Sequence, residues 1–300
     1  MSEALVGSAG VALVPCYNEG RNPVDLCSVL SSVPGLTVVF LDDGSDAGSR
    51  EVLAGLARPG VSVVKNERRA GKVASLTAAM RALDPNVGKV LTLDCDVDVS
   101  GTTIAAVLDE LERSDLVVVN AKAIARSRSV WERGAIFSAN RHDRLRDRFF
   151  ERYPARCANG RLFGMSARMV EAILRSDVPR HTEDSHFMLV CLSEGYRYSY
   201  LPAATLQYRA PETLDDYLRQ ANRFSEGRLL LEERWPPEML ERYYDLAPGD
   251  VLRTFGAEAV HDPAGAFFFL TMLAAKSLQR RDRRTQNGAW AVAGSTKALR

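Results

Sequence analysis

The amino-acid sequence predicts an α/β fold: a mostly parallel central sheet flanked by helices, followed by a helical C-terminal extension. Three observations predict it. Short β-branched runs alternate with helix-like stretches over the first 120 residues. The runs are continuously apolar, as strands of a parallel sheet covered on both faces are. Polar clusters follow four of these runs directly, where open α/β sheets bind their ligands.

In chain order, strand-like runs at 11–14, 36–41, 61–64 and 89–93 are each followed by a helix-like stretch, at 23–30, 50–56, 73–83 and 103–111. A further apolar run, 116–119, continues the pattern, and 214–231 reads as an amphipathic helix. The division expected is a flexible N-terminus over 1–8, a ligand-binding half over 9–122, a second half over 123–230 and the helical extension over 231–300.

Composition narrows the class. The chain has 46% hydrophobic and 26% charged residues, the range of globular proteins, and 300 residues bury a sizeable core without metal or disulfide support. Thirty-nine basic against 38 acidic residues give no global field for nucleic acid. Five cysteines with no CxxC pair read as reduced thiols, and the opening residues lack a signal-peptide pattern, so a cytoplasmic chain is expected. The longest apolar run, 264–275, is broken by Thr271 and falls short of the ~20 residues a spanning helix needs.

The chemistry sits after the strands. Pro15-Cys16-Tyr17-Asn18-Glu19 follows the first, Asp42-Asp43-Gly44-Ser45 the second, Arg68-Arg69-Ala70-Gly71-Lys72 the third and Asp94-Cys95-Asp96 the fourth. No GxGxxG fingerprint is present after the first strand, and Asn66 stands where a P-loop at Gly71-Lys72 needs glycine. Period-2 alternation at a strand end aims Asp94 and Asp96 the same way, about 6 to 7 Å apart. Their hard oxygens suit Mg²⁺ or Mn²⁺, which keep coordination positions for substrate phosphates. Asp98 continues the spacing as a third ligand or a helix cap.

VPCYNE, LDDGS, the Gly-Lys cluster, DCD, LFGMS at 162–166, TED at 182–184 and Gln220-Ala221-Asn222-Arg223-Phe224 stand in the order seen in family 2 glycosyltransferases, which the chain resembles over 9 to about 230. The last two motifs are similar to those of the cellulose, chitin and hyaluronan synthase branch, with Phe224 in place of the pattern's Trp. The resemblance implies a GT-A fold with a Rossmann-like sheet, and inverting transfer from a nucleotide-diphosphate sugar, a uridine one, to a hydroxyl acceptor.

By motif position, Pro15, Tyr17, Glu19, Asp42, Asp43, Lys72 and Asp94 would bind the donor nucleotide, and Asp94 with Asp96 the metal. Asp184 would be the catalytic base, or cap the helix that follows. Phe163, Gly164, Glu183, Gln220, Arg223 and Phe224 would shape the acceptor and diphosphate site. The residue chemistry agrees: an aromatic can stack on a base, carboxylates accept from ribose hydroxyls, and a guanidinium forks onto a diphosphate. Gln220 and Arg223, three apart on a helix, share a face.

Between DCD and TED lies a segment, 126–161, in which ten arginines outnumber four acids, an excess that could attract an anionic acceptor or a membrane surface, or simply form a solvated face. The acceptor could be a carbohydrate, a lipid-linked molecule or a small molecule. The apolar segment with its following basic residues, 264–284, could lie on an anionic bilayer at the inner face of the membrane, or form a core or homodimer helix. Two other readings remain open at this level: a polyprenyl-phosphate glycosyltransferase and a non-catalytic nucleotide-sugar-binding protein.

Overall fold

The computed structural model describes residues 10–278. The expected flexible N-terminus at 1–8, and Arg280, Arg281, Arg283 and Arg284 beyond the apolar helix, lie outside the described residues.

The first half alternates as expected: β1 (Gly10–Cys16), α1 (Asn22–Ser31), β2 (Leu36–Asp42), α2 (Ala47–Ala54), β3 (Val61–Lys65), α3 (Lys72–Arg81) and β4 (Lys89–Leu93). A short β5 (Val97–Val99) precedes α4 (Gly101–Glu110) and β6 (Leu116–Ile124). The second half runs α5 (Val130–Phe149), α6 (Pro154–Cys157), β7 (Leu162–Ser166), α7 (Ala167–Arg175), α8 (Glu183–Ser193), β8 (Tyr198–Arg209) and α9 (Leu214–Glu232). The extension is helical: α10 (Pro237–Tyr243), α11 (Pro248–His261) and α12 (Pro263–Leu278).

One eight-stranded sheet has the order β3-β2-β1-β4-β7-β6-β8-β5. Neighbours from β3 to β4 are parallel, as are β6 and β8, whereas β7 runs antiparallel to both β4 and β6, and β5 to β8. The apolar runs explain the layering. Along each run the pleat sends alternate residues to opposite faces: Val11, Leu13, Leu116 and Val118 enter the core under α3, α7 and α8, and Ala12, Val14, Val117 and Val119 the core under α1 and α4.

The segment expected to shape the acceptor site, LFGMS, is instead the central strand β7. Phe163 is buried against Phe187 with ring centroids 6.0 Å apart, and a Cβ on Gly164 would lie 2.4 Å from Val107 Cγ1. Neither residue reaches the ligand cleft, because both faces of this strand are covered.

The extension packs on α5 and α9. Phe269 lies 5.5 Å from Phe137, Met272 is fully buried above Gly134, and Lys276 Nζ donates to the Ala221 carbonyl at 2.7 Å. Phe267 and Leu270, on the other face of α12, are exposed. Among the described residues no helix is long and apolar enough to cross a membrane.

Candidate active site

A cleft of about 240 Å³ opens where β1, β2 and β4 end, against the start of α8 and the second and third turns of α9. Local backbone geometry gathers its loops. The Asn18 N–H donates to Ser45 Oγ at 3.1 Å, and Asn18 Oδ1 accepts from Asp46 N at 2.8 Å, tying the first loop to the second. Gly44, at φ 80°, lets the second loop meet the third: a Cβ there would lie 2.7 Å from Arg69 N. Asp43 then holds the third loop, accepting from Ala70 N and Gly71 N at 2.8 Å each and from Ser75 Oγ at 2.9 Å.

Of the residues singled out from sequence, Pro15, Tyr17, Glu19, Asp43, Lys72, Asp94, Asp96, Glu183, Asp184, Gln220, Arg223 and Phe224 all line this cleft. Asp42 does not. It ends β2 fully buried, accepts from Ser45 N at 2.8 Å and faces Arg50 at 3.5 Å, so it closes the turn beneath the cleft. Asp94 and Asp96 belong to a tight turn between β4 and β5, not to a strand end, with buried Cys95 between them. Asp98 lies exposed on β5 outside the cleft, and Ser100 caps α4 in its place.

Lys72, on the first turn of α3, joins the two halves of the cleft. Its Nζ lies 2.6 Å from Asp94 Oδ1 and 2.8 Å from Glu183 Oε1, and donates to the Gly160 carbonyl at 3.0 Å. Burial alone would lower the Lys72 pKa; the two carboxylates more than offset it and keep the ammonium charged. Asp184 is half-buried beside Glu183, and its Oδ1 accepts from Ser185 N at 2.8 Å. Burial first, then the Glu183 charge, push its carboxyl up to about 6. Arg223 projects into the same acidic surroundings; burial holds it below the usual arginine range, while Glu183, Asp94 and Asp96 act in the opposite sense.

Several lining residues went unread in the sequence. Arg69 lies 4.0 Å over the Tyr17 ring and Arg161 3.4 Å over that of Tyr208. Thr182 sits in the left-handed region at φ 63°, an unfavourable place for a β-branched residue that marks a constrained turn before α8. Gly227 on α9 makes room for it, since a Cβ there would lie 2.9 Å from Thr182 Cβ. A left-handed threonine leaves no pattern in sequence, and arginine–aromatic pairs from distant loops are visible only once folded.

The acidic turn fits a divalent cation. Among the described residues no group of three or more His, Cys, Asp or Glu side chains forms a metal cage. Mg²⁺ and Mn²⁺ need none: one or two carboxylates, water and substrate phosphates complete the shell, and Asp94 and Asp96 offer that number facing a cleft.

The fold, with its cleft at the strand ends, has GT-A architecture. The chain belongs to glycosyl transferase family 2, whose model matches residues 11–174. Curated relatives include N-acetylglucosaminyltransferases of Rhizobium sp. (strain N33), 26% identical over 82% of this chain and 59% of that protein, and of Neorhizobium galegae, 24% identical over 71% of this chain and 53% of that one. The chain thus spans little more than half the length of these relatives. Among solved structures, a mannosyltransferase from Pyrobaculum calidifontis in complex with GDP-Man and Mn²⁺ superposes with a TM-score of 0.58 at 19% identity, covering 91% of this chain and 81% of that one. Glucosyl-3-phosphoglycerate synthase from Mycobacterium tuberculosis gives 0.54 at 15% identity, with coverage of 78% and 83%.

Proposed function

We propose that the chain transfers a sugar from a nucleoside-diphosphate donor, a uridine one by its motifs, to a hydroxyl acceptor, inverting the anomeric centre in a single displacement. The observation that carries this reading is that Asp184 shares one cleft with Asp94 and Asp96. A carboxyl at about 6 is mostly ionised at neutral pH yet basic enough to accept a hydroxyl proton. As Asp184 takes that proton, the acceptor oxygen bonds to the anomeric carbon, the bond from that carbon to the diphosphate breaks, and the nucleoside diphosphate leaves with the electron pair. Mg²⁺ or Mn²⁺ held by Asp94 and Asp96 would stabilise charge on the departing diphosphate.

The other residues orient and balance. Lys72 and Arg223 bring positive charge to the diphosphate side, and Lys72 also fixes Glu183 next to the base. Tyr17, Glu19 and Asp43 line the part of the cleft where the nucleoside would lie. The structural relatives named above support the donor class, since their complexes hold GDP-Man with Mn²⁺ and, for the mycobacterial synthase, UDP-glucose with Mn²⁺. The rhizobial relatives favour N-acetylglucosamine as the first sugar to try. The TED and Gln220–Phe224 motifs support a place near the polysaccharide-synthase branch.

The test is turnover of labelled UDP-sugars with Mn²⁺ and a panel of hydroxyl acceptors. Asp184→Asn should keep UDP affinity within about threefold while transfer is lost. Wild-type turnover by that variant would refute the assignment.

A further inference from the structure

Most of the arginine-rich segment between the two acidic motifs serves packing. Arg133 pairs with Asp262, Arg144 with Glu258, Arg146 with Asp143 and Arg152 with Asp250, which fastens α5 to the extension and to its own acids. Arg161, the last of the series, lines the cleft instead. Among the described residues its side chain makes one ring or polar contact, with Tyr208, whose ring centroid lies 3.4 Å from the guanidinium carbon. No carboxylate of the described residues stands within ion-pair distance of it, and none of its nitrogens is sealed from solvent.

The backbone fixes where this guanidinium lies. Asp94 N donates to the Arg161 carbonyl at 2.9 Å and Arg161 N to Asn159 Oδ1 at 3.4 Å, which ties residue 161 to the acidic turn. Tyr208, on β8, is the antiparallel partner of Val97, the residue after Asp96. Just before Arg161, a Cβ on Gly160 would lie 3.4 Å from Asp184 Cβ and 3.2 Å from Glu183 Oε1. Arg161 thus stands between the acidic turn and the base. Its charge acts on Asp184 and repels Arg223, so an anion between the two arginines would relieve both.

We propose that Arg161, held flat on Tyr208, is with Arg223 one of two guanidiniums that clamp the nucleotide's diphosphate, an inference that rests on the transferase reading above. At 3.4 Å the guanidinium covers the ring with its face and keeps its N–H donors at the edge, the fork that matches phosphate oxygens. The charges agree. Each phosphate of a nucleoside-diphosphate sugar is negative, and the Lys72 ammonium is already engaged by Asp94, Glu183 and the Gly160 carbonyl. As the acceptor oxygen bonds the anomeric carbon and yields its proton to Asp184, the bond from that carbon to the terminal phosphate breaks and leaves the electron pair there. A fixed guanidinium beside that oxygen stabilises the charge as it develops.

The probes are UDP and uridine, each titrated calorimetrically into the full chain with Mn²⁺ and with EDTA. Wild type should bind UDP more tightly than uridine in both. Arg161→Met should weaken UDP about tenfold or more, with Mn²⁺ and with EDTA alike, and leave uridine within about twofold of wild type. Arg161→Lys should recover part of the loss, because an ammonium keeps the charge and lacks the fork. Tyr208→Leu should weaken UDP about threefold, whereas Tyr208→Phe keeps the ring and should match wild type. Arg175→Met, on the exposed side of α7, is the control and should bind both ligands as wild type does.

UDP binding unchanged in Arg161→Met, UDP and uridine weakened together as a merely structural arginine would give, or an equal loss in Arg175→Met overturns the clamp. A wild type that binds UDP no better than uridine even with Mn²⁺ removes the transferase reading and the clamp with it. Preferential UDP binding that Arg161→Met leaves intact sinks the clamp alone.

Discussion

Asp184→Asn should make the protein more stable and far less active, and both effects can be sized from the site. A carboxyl moved from the ordinary 3.8 to about 6 prefers its protonated form by about 3 kcal/mol, and residual water contact at this half-buried side chain reduces that to about 1–3 kcal/mol. The sign follows from proton counting. Between pH 3.8 and about 6 the folded chain holds a proton that the unfolded chain has released, so stability falls as pH rises through this window. Above about 6 the ionised carboxyl remains a cost to the fold. Asparagine cannot ionise, so the variant should melt roughly 2–6 °C above wild type at pH 7.5, at ~2 °C per kcal/mol. The difference should vanish near pH 3.5, where both side chains are neutral.

Activity should move the other way. Wild-type kcat/KM should climb about tenfold between pH 5 and pH 7 as the base ionises, and the asparagine variant should lose about 10²–10⁴ in kcat. Differential scanning fluorimetry across pH, with rates on the same samples, measures both. A variant that melts lower at pH 7.5, or that keeps wild-type turnover, would refute the reasoning.

Lys72→Met should leave Asp94 and Glu183 without their shared ammonium and cost about 3 kcal/mol, the low end for a broken buried pair because Asp94 keeps some solvent contact. A melting point lowered by about 6 °C and partly restored at low pH, where the carboxylates are protonated, checks it. Gly164→Ala drives a Cβ to 2.4 Å from Val107 Cγ1 and should destabilise by about 1–3 kcal/mol without changing nucleotide affinity of the folded fraction. Chemical denaturation beside a UDP titration separates the two; loss of affinity at unchanged stability would return this glycine to the ligand site.

The parallel half of the sheet was legible because its strands are short, wholly apolar and punctuated by helices, a pattern that burial on both faces imposes. The strands that went unread lack that signal. β5 is three residues long inside DCDVDV, β7 is interrupted by Gly164, and β8 mixes Pro202, Thr205 and Gln207 with its apolar residues. The same physics explains the site. Loops after parallel strands must converge, so Tyr17, Asp43, Lys72, Asp94 and Asp96 met as expected. Asp42 did not, because one step along a strand reverses a side chain. Phe163 and Gly164 carry a motif that serves packing. Arg69 over Tyr17 and Arg161 over Tyr208 depend on the fold itself, and no local pattern announces them.

The central claim is that the acidic turn and the base act on one nucleotide sugar in one cleft. Calorimetry of UDP binding to wild type and Asp96→Ala, each with Mn²⁺ and with EDTA, tests it most directly. The account predicts that Mn²⁺ tightens UDP binding to wild type by about tenfold or more and leaves the alanine variant unaffected. Equal Mn²⁺-dependent tightening in both proteins would contradict it.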